Sequence, residues 1–516
     1  MQQADYDAVI IGGGHNGLVT AGYLAKEGLS ALVLERQDIV GGACVTEQLY
    51  PGFNVPYCAY ICYMLHGKVI EDLELKNHGL DIIPTTGGRF HPYPDGKYMY
   101  IGGDYQRNID EIAKFSEHDA RAYSKWASFW QRAAGILYRY WLQEPPTLEQ
   151  VAEDLRSTVD EEVWEALLTA KMKDLLGRYF ESEYVKAFFL DPEHDPSEPG
   201  CVLSSAYHQC VRFSKPENVG LPRGGMGKIT EAMATFARAR GAEIRTGTWV
   251  ERIIVEGGVA RGVVVHTGEE IRASTVVSNA DPKTTYLKLV ERSELGEAFI
   301  RRVENLTTKG GSVKFLAALK ELPDFRRYLG KDFGPRLIAS TEICPSVEYY
   351  EKSWEAAFNG KLSLHPVMSI QIPSIYDPSL APPGHHVMSV WCRYAPVRLK
   401  QGSWETEGPK VGEHIIDILT EYAPNFRDSL IDWTVQTPTD IETREGATDG
   451  NHRHIDITAR QIFAGRMPYR SPIEGLYLCG AGTHPGGEVT GVPGHNAARA
   501  ILNDLATEAG IMKGAG

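Results

Sequence analysis

Six residues near the N-terminus, Gly12-Gly13-Gly14-His15-Asn16-Gly17, carry the spacing G-x-G-x-x-G. That spacing suits a pyrophosphate. Gly12 permits a tight turn, Gly14 lets the backbone approach phosphate oxygens, and Gly17 lets a helix pack closely on a strand. Asn16 sits inside the same turn. Glu35 follows Gly17 by 18 residues. A carboxylate there accepts hydrogen bonds from ribose hydroxyls and repels a 2′-phosphate. The combination points to FAD or NAD and away from NADP.

Two later segments add to this. Leu221-Pro222-Arg223-Gly224-Gly225-Met226-Gly227 precedes a helix pattern, so its glycines offer backbone N–H groups. The run from Gly475 through Gly480, Gly482, Gly487 and Val489 to Ala498 reads as a strand, a Gly/Pro loop and a helix. The start of that helix suits negative charge on a reduced isoalloxazine. Two side chains in the loop are candidates for proton chemistry. His484 reads first as a structural hydrogen-bonding residue, with orienting the loop or transferring a proton as the alternatives. Glu488 reads first as an outward-pointing carboxylate, with binding a cationic substrate group or acting as a base as the alternatives.

These residues need elements to hold them. Residues 6–11 read as a buried strand, 18–27 as a helix and 31–35 as a second strand, a βαβ opening. A hairpin is expected over 90–101 around Pro94-Asp95-Gly96, and mostly helix over 105–190. Residues 226–240 read as a helix ended by Gly241. Short strands at 243–246, 250–255, 260–266 and 271–278 form a meander, and 283–470 mixes helix and strand. A last strand is expected at 475–480 and a last helix at 490–507. Rossmann-like signals therefore recur in three separated stretches. The expected class is α/β: a Rossmann-type cofactor domain from 1–85, 220–285 and 471–510, with an inserted α+β substrate domain from 86–219 and 286–470.

Composition excludes several functions. A net charge of -14 argues against nucleic acid as a partner. The eight cysteines contain no C-x-x-C pair, and no second complete G-x-G-x-x-G appears, so a dithiol reductase using NAD(P)H is not expected. Scattered free thiols suit a reducing, cytoplasmic compartment. A strand within six residues of Met1 leaves no room for a signal peptide, and no apolar run is long enough to span a bilayer; peripheral membrane contact stays open. Asp191 and His194 lack a third ligand, so no metal is expected. His452 and His454 read as surface or structural, with reach into the pocket as the alternative. Cys58, Tyr60, Cys62 and Tyr63 read as core, with lining the pocket as the alternative, and the apolar face from Tyr123 to Trp141 as a buried helix, with a lid or membrane-dipping helix as the alternative.

Glu35-Arg36 followed by Gly41-Gly42 resembles the extended fingerprint of flavoproteins. All the glycine segments, in this order, resemble the phytoene desaturase–carotenoid isomerase–retinol saturase family of FAD enzymes. Ser278-Asn279-Ala280-Asp281-Pro282, Gly450-Asn451 with Asp456, and Arg466-Met467-Pro468 are similar to it as well. Gly41 to Glu47, Pro51-Gly52-Phe53 and Asp72 to Leu75 most resemble the branch of pyridine nucleotide-disulphide oxidoreductase domain-containing protein 2. The resemblance implies one FAD in a GR2-like domain. Gly12, Gly14 and Gly17 would hold the pyrophosphate and Glu35 the ribose. Arg36 and Gly42 would line the adenosine–ribityl path, Val250 would meet adenine, Gly482 would approach the ribityl, and the amide near Val489 would face the flavin. The family carries a third glycine where this chain has Glu488. The implied reaction is hydride transfer from a substrate C–H to flavin N5, led by C–C desaturation of an apolar small molecule. Amine or amino-acid oxidation, C=C isomerisation and a non-catalytic FAD-bound assembly role are the alternatives. Oxygen or a quinone would reoxidise the flavin.

Overall fold

The computed structural model describes residues 4–190, 195–214, 218–309, 311–508 and 510. Asp191 and His194 lie outside the described residues. Two large sheets organise the chain. The first runs, in spatial order, Val250–Glu256, Val259–Val265, Glu270–Ser278, Tyr6–Ile11, Ala31–Leu34 and Glu243–Arg245, with Leu476–Leu478 also beside Glu270–Ser278. Tyr6–Ile11 is parallel to both neighbours, and the meander strands are antiparallel. This is the expected Rossmann-type α/β arrangement. The central strands, drawn from distant stretches, pair along their buried segments, 8–11, 31–34 and 275–278, while Asp7, Glu270 and Ser274 of the same strands stay exposed.

Helices cover one face of that sheet: His15–Lys26, Gly227–Ala239 and Val492–Glu508 pack into one core with Ala8, Ile10 and Val33. Val9, Ile11, Leu32 and Leu34 point the other way, into a core shared with the meander and with Ile300 and Val303. The first helix starts at His15, three residues earlier than expected, because Gly14 is its N-cap and no side chain caps it. Its first N–H groups are thus left for a ligand. The last helix starts at Val492, two residues later than expected. Thr490 Oγ1 accepts the Val492 N–H at 3.1 Å, which places the helix start after it.

The second sheet runs Leu430–Gln436, Val313–Leu319, His386–Arg393, Val367–Gln371, Ser340–Ile343, Arg89–Pro92 and Tyr98–Ile101. Alternation along Val313–Leu319 decides what faces the cofactor side. Phe315, Ala317 and Leu319 enter a core with the helix Trp404–Tyr422. Leu316 and Ala318 face the hairpin Thr46–Tyr50/Phe53–Pro56, in a core with Trp391 and Cys58. Lys314 has the parity of this second set. Residues 105–190 form short to medium helices around an aromatic core, in which Trp126, Trp130, Ala133 and Leu137 of Glu117–Tyr138 are buried. No helix among the described residues is long and apolar enough to cross a membrane.

Candidate functional site

A cleft of about 530 Å³ opens along the C-terminal ends of the parallel strands. Gly12, Gly14, Asn16, Glu35, Arg36, Gly42 and Val250 line it, with His15, Trp249, Asn279 and Glu445. The turn is built for close approach. A Cβ on Gly17 would stand 2.2 Å from the Gly12 carbonyl oxygen, and one on Gly14 2.8 Å from Asn279 Nδ2. Glu35, just past the end of its strand, is 6% exposed; its two carboxylate oxygens accept the Gly13 and Gln37 N–H groups, each at 2.8 Å. Burial raises its pKa, and those N–H groups oppose the rise.

The other glycine positions sit one layer back. Gly41 donates its N–H to the Gly13 carbonyl at 2.9 Å, bracing the turn. Gly225 faces Thr46, and Met226 is fully buried, its carbonyl accepting from the Cys44 thiol. Gly480 lies against Asn279 and His454, Gly482 against Pro282, and Gly487 against Arg453. Val489 is half-buried against the helical core of the first sheet.

Of the two candidate acid–base side chains, His484 takes the structural, loop-orienting place, and Glu488 is held in an ion pair. His484 is buried, and its Nε2 meets the Tyr140 carbonyl oxygen at 2.8 Å, while its own carbonyl accepts from Tyr469 Oη. Burial lowers its pKa to about 4, so it is a neutral ring that ties the loop to the helical region. Glu488 is not an open base. Arg453 Nε donates to it at 2.9 Å, and His208 and His452 lie 3.4 and 3.7 Å away. Burial alone would raise its pKa, but Arg453 and the two imidazoles bring it well below the ordinary carboxylate range. Its φ is +67°, the left-handed region that glycine occupies without cost. Glu488→Gly is expected to relieve about 1 kcal/mol of backbone strain. It also strips a buried cation of its carboxylate, which costs about 3 kcal/mol. A net fall in melting temperature at pH 7 is therefore expected; an unchanged or higher one would show the ion pair to be dispensable.

Several residues at the site escaped the sequence reading. His452 and His454, read as surface or structural with reach into the pocket as the alternative, both line the cleft. Trp249 also lines it, 48% exposed and stacked on His266 at 3.7 Å. An exposed indole beside Val250 offers a planar apolar face for adenine. Trp249→Ala is expected to weaken FAD binding about tenfold, a loss of about 1.4 kcal/mol, in fluorescence titration of deflavinated protein; equal affinity would leave Trp249 without a role. The opposite wall is the end of the helix Pro438–Glu445, latched where Arg36 donates to the Thr443 carbonyl and Gln37 to the Arg444 carbonyl. Asp281 accepts from Thr448, fixing the loop that carries His452. Arg466 is buried and donates to the Thr483, Ala481 and Gln461 carbonyls, which locks that loop to the flavin segment.

Beyond His452, the ring of Trp391 meets it edge-on at 4.7 Å. Lys314 is paired with Trp391 across the sheet, and its Nζ lies 4.1 Å from the Tyr60 ring centroid and 5.1 Å from that of Trp391. The Nζ is buried without a hydrogen-bond partner. Burial lowers its pKa to about 7. Tyr60 packs against a core as expected and is also half of an aromatic pair around a lysine.

The cleft also fits a dinucleotide chemically. His15 Nε2, Asn16 Oδ1 and Glu445 Oε1 are buried there without a protein hydrogen-bond partner, so the wall holds polar atoms that a ligand would satisfy. The family described as flavin containing amine oxidoreductase matches residues 17–502. The chain belongs to this family. It is an FAD-dependent oxidoreductase. It is 32% identical to pyridine nucleotide-disulfide oxidoreductase domain-containing protein 2 of Rattus norvegicus, over 97% of this chain and 94% of that one. A limonene dehydrogenase polypeptide of Castellaniella defragrans is 28% identical over 97% and 95%. Phytoene desaturase (lycopene-forming) of Pseudescherichia vulneris is 26% identical over 96% and 98%. The family expected from the glycine segments is the family found. The eight cysteines are all buried and free.

Proposed function

We propose that the chain dehydrogenates a neutral, largely apolar small molecule across a C–C bond. The observation that carries this reading is the Lys314 ammonium site. An amine oxidase would present an aromatic pair and a carboxylate to a substrate cation. Here the Tyr60–Trp391 pair holds the chain's own lysine, and Glu488 is neutralised by Arg453. Two relatives whose names state a substrate, the limonene dehydrogenase and the phytoene desaturase, support an apolar one. Amine oxidation stays the second reading, because the family description itself names amines.

When bound, FAD supplies the hydride acceptor, flavin N5. The residues do the rest. Gly12, Gly14 and Gly17 cradle the pyrophosphate, Glu35 takes the ribose, and Arg36, Gly42 and Val250 line the path between. Gly41 and Gly480 brace the turns, Gly225 and Met226 belong to the segment that completes the adenine side, and Gly482, Gly487 and Val489 shape the flavin end. Trp391, Tyr60 and the flavin loop exclude water from the reacting C–H. Lys314, neutral in part at pH 7, takes the proton that leaves beside the hydride. In this reading residues 1–85, 220–285 and 471–510 hold the cofactor, and 86–219 and 286–470 the substrate. Oxygen or a quinone closes the cycle, and the free thiols suit a reducing, cytoplasmic setting.

The test is an anaerobic library screen for flavin bleaching, with neutral terpenoids and polyenes in one arm and primary and secondary amines in the other. Bleaching by the neutral arm is the expected result. Bleaching by amines alone overturns the reading. Bleached enzyme is then mixed with air and with quinones to identify the acceptor.

A further inference from the structure

Asn279 reaches the cleft from the end of the strand Glu270–Ser278, the parallel neighbour of Tyr6–Ile11. Its backbone N–H donates to the Ile11 carbonyl at 2.8 Å, which sets it level with the glycine turn. Its side chain then meets that turn at each glycine of the spacing. Nδ2 donates to the Gly12 carbonyl oxygen at 3.3 Å, and a Cβ would stand 2.8 Å from Nδ2 on Gly14 and 3.3 Å from it on Gly17. Two residues on, Asp281 accepts from the Lys283 and Thr284 N–H groups and from Thr448, so the segment is held from its far side as well.

A side-chain amide carries two N–H donors and one carbonyl acceptor. Gly12 takes one of the two hydrogens, which turns the nitrogen toward the turn. The second N–H has no partner among the described residues, and the side chain is half-buried where it lines the cleft.

We propose that Asn279 donates this second N–H to the diphosphate of FAD, so that one side chain both shapes the glycine turn and binds what the turn holds. This rests on the reading that the turn cradles the pyrophosphate. A diphosphate is anionic, yet among the described residues Arg36 and Arg444 are the only lysine or arginine side chains lining the cleft. Both are engaged elsewhere. Arg36 donates to the Thr443 carbonyl, and Arg444 pairs with Glu47 at 2.6 Å with its guanidinium 3.7 Å from the Tyr57 ring centroid. His15 and His454 stand in the same wall, and burial lowers both to about 4, so neither is a cation at neutral pH. Neutral donors must therefore meet the anion: the N–H groups at the start of the first helix, and side-chain amides. Gln37 gives its amide to the Arg444 carbonyl, and Asn16 is 1% exposed inside the first helix. Asn279 is the amide left open to the cleft. A hydrogen bond to an ionised oxygen is about twice as strong as one between neutral groups. Asn279 is already held by its strand, by Gly12 and through Asp281, so little freedom is lost on binding.

The test uses deflavinated full-length protein and the probes FAD, ADP and adenosine, the last two titrated as competitors of FAD. ADP carries the diphosphate; adenosine stops at the ribose that Glu35 takes. Wild type is expected to bind ADP more tightly than adenosine. In Asn279→Ala the affinities for FAD and ADP are expected to fall about ten- to a hundredfold, with that for adenosine kept within about twofold. Asn279→Asp, of the same shape, is expected to lose more ADP affinity still, because it sets a carboxylate against both the Gly12 carbonyl and the diphosphate, and again to spare adenosine. A residue that only braces the turn would behave otherwise. Glu35 accepts from Gly13 within that turn, so a loosened turn weakens adenosine along with ADP. Equal losses for ADP and adenosine, or an unchanged ADP affinity, overturn the proposal. The isosteric Asn279→Asp decides the matter where Asn279→Ala fails to fold. Wild-type protein without a preference for ADP would sink the cradle reading of the turn, and Asn279 with it; a preference that survives the substitutions sinks Asn279 alone.

Discussion

Gly17→Ala protein is expected to retain at most about a tenth of the wild-type FAD, a loss of about 1.4 kcal/mol or more in binding. The reason is local and steric. The added Cβ would stand 2.2 Å from the Gly12 carbonyl oxygen, a backbone atom with no side-chain freedom to retreat. Helix His15–Lys26 must then lift off the strand Tyr6–Ile11, and overpacking of this kind costs about 1–3 kcal/mol. The same displacement carries the uncapped first N–H groups of the helix away from the cleft, so cofactor and stability fall together. Gly135→Ala is the matched control. It lies inside the helix Glu117–Tyr138, and a Cβ there meets nothing within 4 Å. It should leave flavin content unchanged and raise stability by about 0.5–1 kcal/mol. Flavin absorbance per protein and thermal denaturation read both. Wild-type flavin content in Gly17→Ala would mean that the turn is looser than its geometry.

The contrast between readable and unreadable parts of the site follows sequence separation. The Gly12–Gly17 turn and Glu35 are local, because one strand, one turn and one helix place them, and each residue type has a steric or hydrogen-bonding reason visible in a short window. The recurrence of Rossmann-like strands in three stretches was legible for the same reason, but not their order: the strand Glu243–Arg245, expected in the meander, pairs instead with Ala31–Leu34, with two strands between it and the meander. Lys314 was not legible. Within its own strand it reads as one polar residue in an apolar run. Its meaning comes from Trp391, which the antiparallel pairing of Val313–Leu319 with His386–Arg393 sets opposite it, and from Tyr60 in a third segment. Glu445 likewise reads as the polar end of a helix until Arg36 and Gln37 draw that helix over the cleft. Glu488 was half legible. Its departure from a family glycine was visible and marked an unusual position, but Arg453, 35 residues away, cancels the charge that made it attractive as a base.

Lys314→Met is expected to slow flavin reduction by substrate by about 10²–10⁴-fold, the usual contribution of a positioned general base. It is also expected to make the protein more stable. Both follow from one cause, the cost of holding an ionisable nitrogen in an apolar, aromatic wall. Lys314 titrates near 7 when folded and near its ordinary value of 10.5 when unfolded. Between those values the unfolded chain binds more protons, so its contribution to stability is lost as pH falls from 10.5 to about 7. Glu445 runs oppositely: near 7 folded and 4.5 unfolded, it loses its contribution as pH rises from 4.5 to about 7. Both losses are nearly complete at neutral pH, where the pair sits at a stability minimum. Thermal denaturation across this range should therefore show a dip near pH 7 in wild type. Lys314→Met, similar in the length of its stem, removes the limb above pH 7 and leaves the limb below it. A variant no more stable than wild type at pH 7 would mean that Lys314 is better solvated than its position between Tyr60 and Trp391 requires. Unimpaired flavin reduction would remove it from the chemistry altogether. The two measurements separate outcomes that activity alone would merge. A lysine that only packs the wall would change stability and not rate, whereas a base held there at a cost changes both, in opposite directions.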